Sequence, residues 1–557
     1  MIVIGVDGMD PGFVERHWND LPNLKQLRDT GTFQRLRTTT PPQSPVAWST
    51  FITGLDPDDH GIFDFVHRNP ATHELFLSTE RTIGPGFRIP LGPYEIPLRS
   101  GRVESLRRGT PFWKTLADRG VPVSVIRMPT NYPPLHAGHE IAGMGTPDLR
   151  GTQSTFAFYT DAADQTTRNV SGGLIRRVDV VNHHVDLTVE GPPNTLRRDQ
   201  AYSTITLTVD IDPNEPIARL QAGQKMAIIR QGEWSGWIRA DFPLIPHVIS
   251  ARGMFRVFAK QLHPGFELYV SPINIDPTRP VLPVAYPSSF DEDLGRFYTV
   301  GIPEDTSAIR QGVFDLPQFL AQTRLVWEDE NRMWNQALDR FQTGFLFFYF
   351  SSVDENSHIL WGRHDHELLK IYRKVDGAIG EVRRRQSDAA LIVMSDHGFS
   401  TFDRAVNLNT WLLEQGLLAR AADGKIDWAN TKAYAIGLNA LYLSGADRDD
   451  VRRRLLEWRD PQGDRQIVEA VSVTHPAPAN RAVAPDLIVG YAPGYRGSWA
   501  TGLGEVPGTD LEDNNDAWIA DHCINAADVP GVLFTNGLRV PDASLKSLSS
   551  VILKLFP

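Results

Sequence analysis

The sequence predicts an α/β protein built on a mostly parallel central sheet with helices on both faces, and with a β-rich subdomain inserted into it. Short, continuous apolar runs, which are typical of buried parallel strands, alternate along the chain with helical patterns. These runs occupy residues 2–6, 122–126, 345–350 and 391–394. Alternating strands and helices predict an open sheet whose functional residues gather at the carboxyl ends of its strands.

The clearest helical pattern follows Asp315, whose side chain can cap the first turn of a helix. The apolar residues that follow it keep to one side of that helix, as they do in a helix that packs on a sheet. They are Phe319, Leu320, Val326, Trp327, Met333 and Trp334.

The pattern changes to period-two alternation between about residue 166 and residue 300. Ile205, Leu207 and Val209 alternate with threonines there, and glycine, proline and asparagine separate such stretches. This pattern predicts an antiparallel β-rich insertion of roughly 130 residues. We therefore divide the chain into three parts. They are the first part of the α/β domain at 1–165, the insertion at 166–300, and the second part of the α/β domain at 301–557.

Composition limits the function classes. The chain has 557 residues, of which 56 are Lys or Arg and 67 are Asp or Glu, so its net charge of −11 argues against a stable nucleic-acid complex. A single cysteine, Cys523, excludes an internal disulfide and a Cys-rich zinc module. No apolar run approaches the ~20 residues of a membrane span. The first residues lack a signal-peptide pattern, so we expect a cytoplasmic location, with a longer secreted precursor left open. The oligomeric state is not predicted.

Two residues that follow the run 345–350 have the spacing of a metal-ligand pair. Asp354 and His358 are four residues apart, so on a helix both side chains lie on one face. A carboxylate and an imidazole on one face can bind zinc or a similar divalent ion. An N-cap aspartate beside a surface histidine gives the same pattern, so the pair alone leaves both interpretations open.

Two further aspartates, Asp7 and Asp396, lie at or near the ends of strand-like runs. Asp396 is followed by His397 and Gly398, which makes a second possible ligand pair, although Asp and Gly are also ordinary turn residues. A late histidine, His522, follows another aspartate near the C-terminus.

Ser44 is predicted to lie at a helix N-terminus, because Pro45 follows it and proline is favoured in the first turn of a helix. Backbone N–H groups and the helix dipole favour an anion, such as a phosphoryl group, at that position. A plain serine cap fits the same residues.

The order of these clusters resembles that of the alkaline phosphatase superfamily: aspartate, serine, Asp-x-x-x-His, Asp-His-Gly and a late histidine. The resemblance is closest to its branch of nucleotide pyrophosphatase/phosphodiesterase-like enzymes and predicted phosphohydrolases. Residues 53–62 are similar to the segment that follows the nucleophile in that branch, and residues 395–399 to its second metal motif. The resemblance covers 1–150 and 300–540, and it implies an alkaline-phosphatase-like fold.

The resemblance implies that two divalent metal ions share one site. Asp7, Ser44, Asp396 and His397 match the ligands of the ion that holds the nucleophile. Asp354, His358 and His522 match the ligands of the other ion. His364 and His475 compete with His522 for the last position. Mixed Asp and His ligands suit Zn²⁺, and Mn²⁺ or Mg²⁺ is possible.

The resemblance also implies a covalent mechanism in which Ser44 is the catalytic nucleophile. Metal coordination can deprotonate a serine, which then attacks phosphorus and forms a phosphoserine that water cleaves. The implied function is metal-dependent hydrolysis of a small-molecule phosphate ester or nucleotide, most closely as a phosphodiesterase or nucleotide pyrophosphatase.

One feature departs from the family's pattern. Val46 and Ala47 stand near the position where phosphodiesterase relatives often carry an asparagine that contacts a phosphoryl oxygen. Backbone amides at the helix start are one candidate for that contact. The other candidate is the loop of Thr130, Asn131 and Tyr132, which we predict to bind substrate, although a plain Pro-rich turn fits the same residues.

Two alternatives to a phosphodiesterase remain. The same two-metal site could serve a phosphomonoesterase or a phosphomutase. No arginine can be assigned from sequence to clamp a terminal phosphate, which favours a diester. In a different class, the chain could be a non-catalytic binding protein that retains the fold and uses its insertion for recognition.

Overall fold

An eight-stranded sheet forms the centre of the protein. The structure, a computed structural model, describes residues 1–99, 101–288 and 303–557. The strands of this sheet, in chain order, are β1 (Ile2–Val6), β2 (Thr32–Leu36), β3 (Val123–Met128), β4 (His139–Ala142), β5 (Ala285–Tyr286), β6 (Phe345–Phe350), β7 (Leu391–Met394) and β8 (Gly531–Thr535). Across the sheet they lie in the order β2-β8-β7-β1-β6-β3-β4-β5.

The middle of the sheet is parallel. Strand β1 pairs in parallel with β6 and β7, β6 pairs in parallel with β3, and β3 with β4. The outer pairs β2–β8, β8–β7 and β4–β5 are antiparallel. The four apolar runs found in the sequence all lie in the parallel middle, which confirms the predicted α/β class.

The α-helices among the described residues are α1 (Pro11–Arg16), α2 (Pro22–Thr30), α3 (Ser44–Thr53), α4 (Pro57–His60), α5 (Phe112–Asp118), α6 (Thr306–Arg310), α7 (Leu316–Arg340), α8 (Ser352–Leu360), α9 (Asp365–Arg385), α10 (Leu408–Glu414), α11 (Arg448–Glu457), α12 (Trp499–Gly502) and α13 (Leu545–Lys554). As predicted, Asp315 caps α7, and it exchanges two hydrogen bonds with Gln318. No helix in the described part of the chain combines the length and the apolar composition that crossing a bilayer requires.

Helices cover both faces of the sheet. On one face, Ile2, Ile4 and Val6 of β1 share a core with residues of α7, α8 and α9. On the other face, Val3 shares a core with residues of α3, α5 and α13. Because β1 is buried on both faces, its sequence is continuously apolar rather than alternating.

The region predicted as a β-rich insertion contains strands in three sheets, which pair antiparallel except for one parallel pair, Phe156–Thr160 with Gly173–Arg177. Their strands are Phe156–Thr160, Arg168–Val170, Gly173–Arg177, His184–Pro193, Tyr202–Ile211, Ile217–Ala222, Lys225–Arg230, Ile238–Ile245, Ile249–Phe255, Val257–Gln261, Glu267–Val270 and Asn274–Ile275. The strand Phe156–Thr160, which precedes the predicted start at 166, pairs with Gly173–Arg177 and Glu267–Val270. The predicted boundary at 300/301 lies outside the described residues, and the three-part division stays a prediction.

Two further β regions were not predicted from the sequence. Between α4 and α5 the paired strands are Val66–Arg68 with Leu75–Leu77, Glu80–Ile83 with Arg102–Ser105, and Arg88–Leu91 with Tyr94–Pro97. Between β7 and β8 the strands are Ser400–Val406, Ala433–Ala435, Ala440–Leu443, Val468–Val473, Leu487–Tyr491, Gly494–Gly497, Leu511–Asp513 and Ala520–Asp521. The latter region has an apolar core of its own with α10 and α11.

The Gly5→Ala substitution is expected to destabilise the protein. A Cβ at Gly5 of β1 would lie 2.6 Å from Trp48 of α3 and 2.9 Å from Phe347 of β6. Overpacking of a filled core costs about 1–3 kcal/mol, which denaturant unfolding measures. As a control, Gly377→Ala on the exposed side of α9 meets no atom within 4 Å and should stabilise by up to about 1 kcal/mol. Equal stability of Gly5→Ala and the wild type would contradict this packing.

Candidate metal centre

The carboxyl ends of three neighbouring strands bring the predicted residues to one edge of the sheet. Asp7 follows β1 directly, and Asp396 and His397 follow β7 after one residue. Helix α8 begins immediately beyond β6 and carries Asp354 and His358 on one face. The two residues, four positions apart in the sequence, therefore lie one turn apart on a helix, as predicted. The Nε2 atom of His358 lies 3.4 Å from Asp354 Oδ2.

Ser44 and His522 reach the same place from other parts of the chain. Ser44 is the first residue of α3, and its Oγ lies 3.4 Å from Asp7 Oδ1 and 3.1 Å from His397 Nε2. The Nε2 atom of His522 lies 3.9 Å from Asp354 Oδ1. The structure therefore brings all seven predicted ligand residues together.

The seven side chains form two adjoining groups around Ser44. In each group the potential ligand atoms lie within 4.8 Å of one another: Asp7, Asp396 and His397 in one, and Asp354, His358 and His522 in the other. The rings of His397 and His522 stack with centroids 3.6 Å apart, so the two groups touch. None of the seven residues is more than 8% exposed.

The competing histidines lie elsewhere. His475 is exposed, and its backbone N–H donates to Asp58 Oδ2 at 3.0 Å. His364 stands at the N-terminus of α9, immediately before Asp365. Of the three late candidates, only His522 joins the cluster within the described residues.

Each of the three histidines is oriented by a backbone carbonyl. The Nδ1 atoms of His358, His397 and His522 lie 2.8, 3.1 and 2.7 Å from the carbonyl oxygens of Ala520, Gly398 and Pro42 respectively. A proton on Nδ1 donates to the carbonyl and leaves the lone pair of Nε2 directed into the cluster. This is the arrangement that a metal-binding histidine requires.

Two residues that sequence reasoning missed hold Asp7 in place. The indole N–H of Trp48 donates to Asp7 Oδ2 at 2.9 Å, and the hydroxyl of Tyr349 donates to the same oxygen at 2.7 Å. The other oxygen, Oδ1, is thereby left facing Ser44. The sequence held one signal for each of these two residues. Trp48 is one helical turn after Ser44, and Tyr349 carries the one hydroxyl of an otherwise apolar strand.

Asp521, which immediately precedes His522, fixes the last ligand segment. Its Oδ2 accepts from Arg496 Nε at 2.6 Å and from the indole N–H of Trp518 at 2.8 Å. Its Oδ1 accepts from the backbone N–H groups of His522 and Cys523 at 2.7 and 2.9 Å. Although Asp521, His522 and Cys523 also form a ligand-type group, the carboxylate of Asp521 is already neutralised by the buried Arg496.

Gln43 anchors the other side of Ser44. Its Nε2 donates to Asp64 Oδ2 at 2.9 Å and to Asn439 Oδ1 at 2.8 Å, while its Oε1 accepts from the backbone of Phe65 at 3.0 Å. These contacts tie the start of α3 to the segment that follows α4 and to the second half of the chain.

The buried carboxyl groups have raised pKa values. Burial, together with the charge of Asp354, raises the pKa of Asp7 to about 7. Burial also raises the pKa of Asp354 to about 7 and that of Asp396 well above its usual range. Burial lowers the pKa of His358 to about 4, so this imidazole is neutral. The cluster thus holds three carboxyl groups that repel one another when ionised and gains no compensating charge from His358.

The donor set fits divalent cations. Asp354 Oδ1 and Asp396 Oδ2 are buried without a hydrogen-bond partner among the described residues. An unsatisfied buried carboxylate oxygen is costly, and a bound cation satisfies it. Carboxylates combined with neutral imidazoles suit Zn²⁺ and related ions.

The predicted substrate loop follows β3, at the same edge of the sheet. The carbonyl and Oγ1 of Thr130 accept from Arg107 at 2.8 and 3.1 Å, and the amide of Asn131 donates to Glu140 at 2.8 Å. The polar groups of these two residues therefore stabilise the loop itself. Tyr132 is buried and lines a large cavity. A substrate contact by this loop stays a prediction.

The structure reduces the number of backbone amides at the start of α3 that are candidates for the contact with a phosphoryl oxygen. The amides of Val46 and Ala47 donate to the carbonyl of Gln43 at 2.9 and 2.8 Å, and Pro45 has no N–H. In the described part of the chain, the amide of Ser44 is the one in this turn without a backbone partner.

A family model described as type I phosphodiesterase/nucleotide pyrophosphatase matches residues 1–196 and 283–499. The break between the two matched segments falls within the β-rich region. The match therefore covers most of the chain, including six of the seven clustered residues; His522 lies beyond its end. No curated protein sequence matches the chain.

Several solved structures are similar to the chain. A phosphonoacetate hydrolase from Sinorhizobium meliloti 1021 in complex with phosphonoformate is 12% identical, with a TM-score of 0.48 and coverage of 100% of this chain and 95% of that chain. Murine ectonucleotide pyrophosphatase/phosphodiesterase 5 is 11% identical, with a TM-score of 0.41 and coverage of 100% and 94%. The human protein of that name is 10% identical, with the same TM-score and coverage.

The family match agrees with the resemblance that the ordered clusters indicated in the sequence. The clusters lie where the central sheet places them, at the carboxyl ends of its parallel strands. The chain therefore belongs to the type I phosphodiesterase/nucleotide pyrophosphatase family of phosphoester hydrolases, within the alkaline phosphatase superfamily.

Proposed function

We propose that the protein is a metal-dependent phosphodiesterase that cleaves small-molecule phosphodiesters or nucleotide pyrophosphates through a phosphoserine on Ser44. The observation that carries the proposal is the position of Ser44 Oγ, 3.1 Å from His397 Nε2 and 3.4 Å from Asp7 Oδ1. A serine hydroxyl held among so many ligand-type side chains is placed to become a metal-activated nucleophile.

The residues that would hold the two ions divide as the resemblance implies. Asp7, Ser44, Asp396 and His397 would hold one ion, and Asp354, His358 and His522 the other, with Zn²⁺ the ion that suits this donor set best. When bound, the ions would supply Lewis-acid stabilisation of the charge on the oxygens of the reacting phosphoryl group.

The side chains of the protein prepare Ser44 for attack. Asp7 Oδ1 lies beside the hydroxyl, and Trp48 and Tyr349 keep that carboxylate from rotating. Attack by Ser44 Oγ on phosphorus forms the serine–phosphorus bond as the bond to the leaving alcohol breaks. Water then cleaves the phosphoserine, so two displacements give net retention at phosphorus.

A diester is favoured over a monoester because two buried arginines, Arg127 and Arg496, are already ion-paired. Arg127 pairs with Glu330, and Arg496 pairs with Asp521. A phosphomonoesterase commonly needs a cationic side chain for the additional charge of its substrate. A diester carries less negative charge than a monoester and so requires fewer cationic side chains, which supports a diester as the substrate.

Ser44→Ala is expected to lower turnover of a chromogenic aryl phosphodiester by about a thousandfold or more, since the nucleophile is lost. Its metal content should stay largely intact, because three protein ligands of that ion remain. The measurements are steady-state rates with added divalent ions and elemental analysis.

The matched control for Ser44→Ala is Ser49→Ala. Ser49 is buried in the same helix, but its hydroxyl donates to the carbonyl of Pro45 at 2.6 Å. This variant should keep its turnover. Unchanged turnover in Ser44→Ala would refute the nucleophile assignment.

His358→Ala is expected to lower the occupancy of one of the two ions, because the imidazole supplies one of three protein ligands in its group. Elemental analysis of purified protein measures this, with the exposed His475→Ala as the control that should keep both ions. Full occupancy of both sites in His358→Ala would remove this residue from the ligand set.

The metal-free protein is expected to lose stability as the pH rises from about 4 to about 7. Burial raises the pKa of Asp7 and of Asp354 to about 7 in the folded state, whereas both titrate near 4 when unfolded. The folded state thus binds more protons than the unfolded state in this window, so stability falls as pH rises. Denaturant unfolding in chelator measures the slope, which Asp7→Asn should reduce. A slope of opposite sign would contradict the buried carboxyl cluster.

A further inference from the structure

One of the unpredicted hairpins, formed by residues 88–97, gathers apolar side chains on a single face. The residues opposite each other across it are Ile89 and Ile96, Leu91 and Tyr94, and, one hydrogen-bonded pair beyond the ladder, Phe87 and Leu98. Opposed residues share a face of a hairpin, and every second residue of a strand returns to that face. The register therefore groups these six side chains, and we call the group the hairpin face.

The hairpin face is largely open to solvent. Phe87 is 76% exposed, Leu91 64%, Leu98 61% and Ile89 46%. A two-stranded hairpin is only marginally stable in water unless it packs against something else. Adjoining large apolar side chains that stay exposed mark a surface that meets another protein or a membrane.

The segment that carries the hairpin face is basic, although the whole chain is acidic. Residues 80–108 contain six arginines and three glutamates, in a chain whose net charge is −11. Burial raises the pKa of Glu80 to about 8, so this carboxyl group is largely protonated at neutral pH and cancels little of the positive charge. Arg99, directly after Leu98, is exposed beside the hairpin face.

Each of the other two glutamates is shared by two arginines. In the adjoining hairpin, Glu104 lies 3.3 Å from Arg81 and 2.6 Å from Arg102. Both arginine side chains are more than half exposed. One carboxylate cannot neutralise two guanidinium groups, so this pairing leaves one positive charge in excess.

The same sharing occurs within the hairpin that carries the hairpin face. Glu95 lies 3.7 Å from Arg88 and 3.8 Å from Arg198, which belongs to the segment that pairs with the second strand of the hairpin. A second positive charge is therefore in excess next to the apolar side chains.

The occupant of this surface must accept apolar side chains and arginines together. A second copy bound through the same face would place its arginines against identical arginines, and like charges across an interface are costly. Nucleic acid would pair with the arginines, but its interfaces are polar and would leave the apolar side chains unused. An anionic bilayer accepts both, because apolar side chains enter the acyl boundary while arginines meet the headgroups. Tyr94, beside the turn, is of a type enriched at membrane surfaces.

We propose that the hairpin face docks the protein on the surface of an anionic lipid bilayer. Phe87, Leu91 and Leu98 enter the boundary between headgroups and acyl chains, to a depth of about 5–10 Å. The arginines stay at the level of the headgroups, where each contributes to the attraction. This docking is peripheral, and it goes beyond the proposed reaction at Ser44.

Sedimentation of the full chain with vesicles tests the docking without any turnover. Vesicles of phosphatidylcholine and phosphatidylglycerol in a two-to-one ratio should bind the protein, and vesicles of phosphatidylcholine alone should bind it at least about tenfold more weakly. Binding should weaken as salt is added, because the arginines are exposed. Arg99→Gln should lower the affinity for the mixed vesicles about fivefold.

The apolar contribution is tested with Leu91→Asp and Leu98→Asp. Each should lower the affinity for the mixed vesicles about tenfold or more, because a carboxylate replaces a side chain that enters the bilayer. The matched control is Ile228→Asp, which should bind like the wild type. Ile228 is 71% exposed, but it lies on Lys225–Arg230, the outer strand of a different sheet. Denaturant unfolding shows that each variant is folded.

Insertion is measured separately with an environment-sensitive dye on Leu91→Cys. The chain has one other cysteine, Cys523, which is buried, so the new thiol is the accessible one. The emission of the dye should shift to shorter wavelength with the mixed vesicles. The same dye on Ile228→Cys should show no shift.

Three results would overturn the proposal. The first is the absence of sedimentation with either kind of vesicle. The second is binding of Leu91→Asp and Leu98→Asp that equals binding of the wild type, which would reduce the contact to charge alone. The third is a dimer in solution that Leu91→Asp dissociates, without vesicle binding, which would assign the hairpin face to a second copy of the chain.

Discussion

The structure depends on the burial of three carboxyl groups in one place. Asp7, Asp354 and Asp396 meet at the carboxyl edge of the central sheet, where they are buried and where two of their oxygens have no hydrogen-bond partner in the described part of the chain. Burial of like charges without compensation is among the most costly arrangements in a protein. In the metal-free protein, protonation of the carboxyl groups relieves that cost. Divalent cations would instead compensate the carboxylate charges, and the neighbouring imidazoles are oriented to bind the same cations. The hydroxyl of Ser44 is suited to act as a nucleophile only because it lies beside these carboxyl groups.

The rest of the fold restricts how these groups can move. The parallel middle of the sheet fixes where β1, β6 and β7 end, and backbone carbonyls fix the rotation of all three histidines. Trp48 and Tyr349 hold one oxygen of Asp7, so the other faces the nucleophile. Such preorganisation suits phosphoryl transfer, in which the protein contributes mainly position and electrostatics.

Local signals in the sequence were enough to predict the centre of the sheet and the ligand residues. Asp7 and the Asp354–His358 pair follow apolar runs, and a strand end or a helical spacing can be recognised within a few residues. Trp48 and Tyr349 carried weak local signals, but the pairing of the supporting residues with the ligands could not be predicted in this way. Tyr349 is 342 positions from Asp7, and Arg496 contacts Asp521 across 25 positions, so only the folded chain shows their pairing. The hairpins between α4 and α5 were missed because such short strands carry almost no periodicity.

The central claim is that the seven clustered side chains hold two ions on either side of Ser44. Anomalous diffraction from zinc-loaded crystals, recorded above and below the zinc absorption edge, tests it most directly. We expect two peaks about 4 Å apart, one bounded by Asp7, Asp396 and His397 and the other by Asp354, His358 and His522. Zinc bound only at other places on the protein, with no peak inside this cluster, would contradict the account.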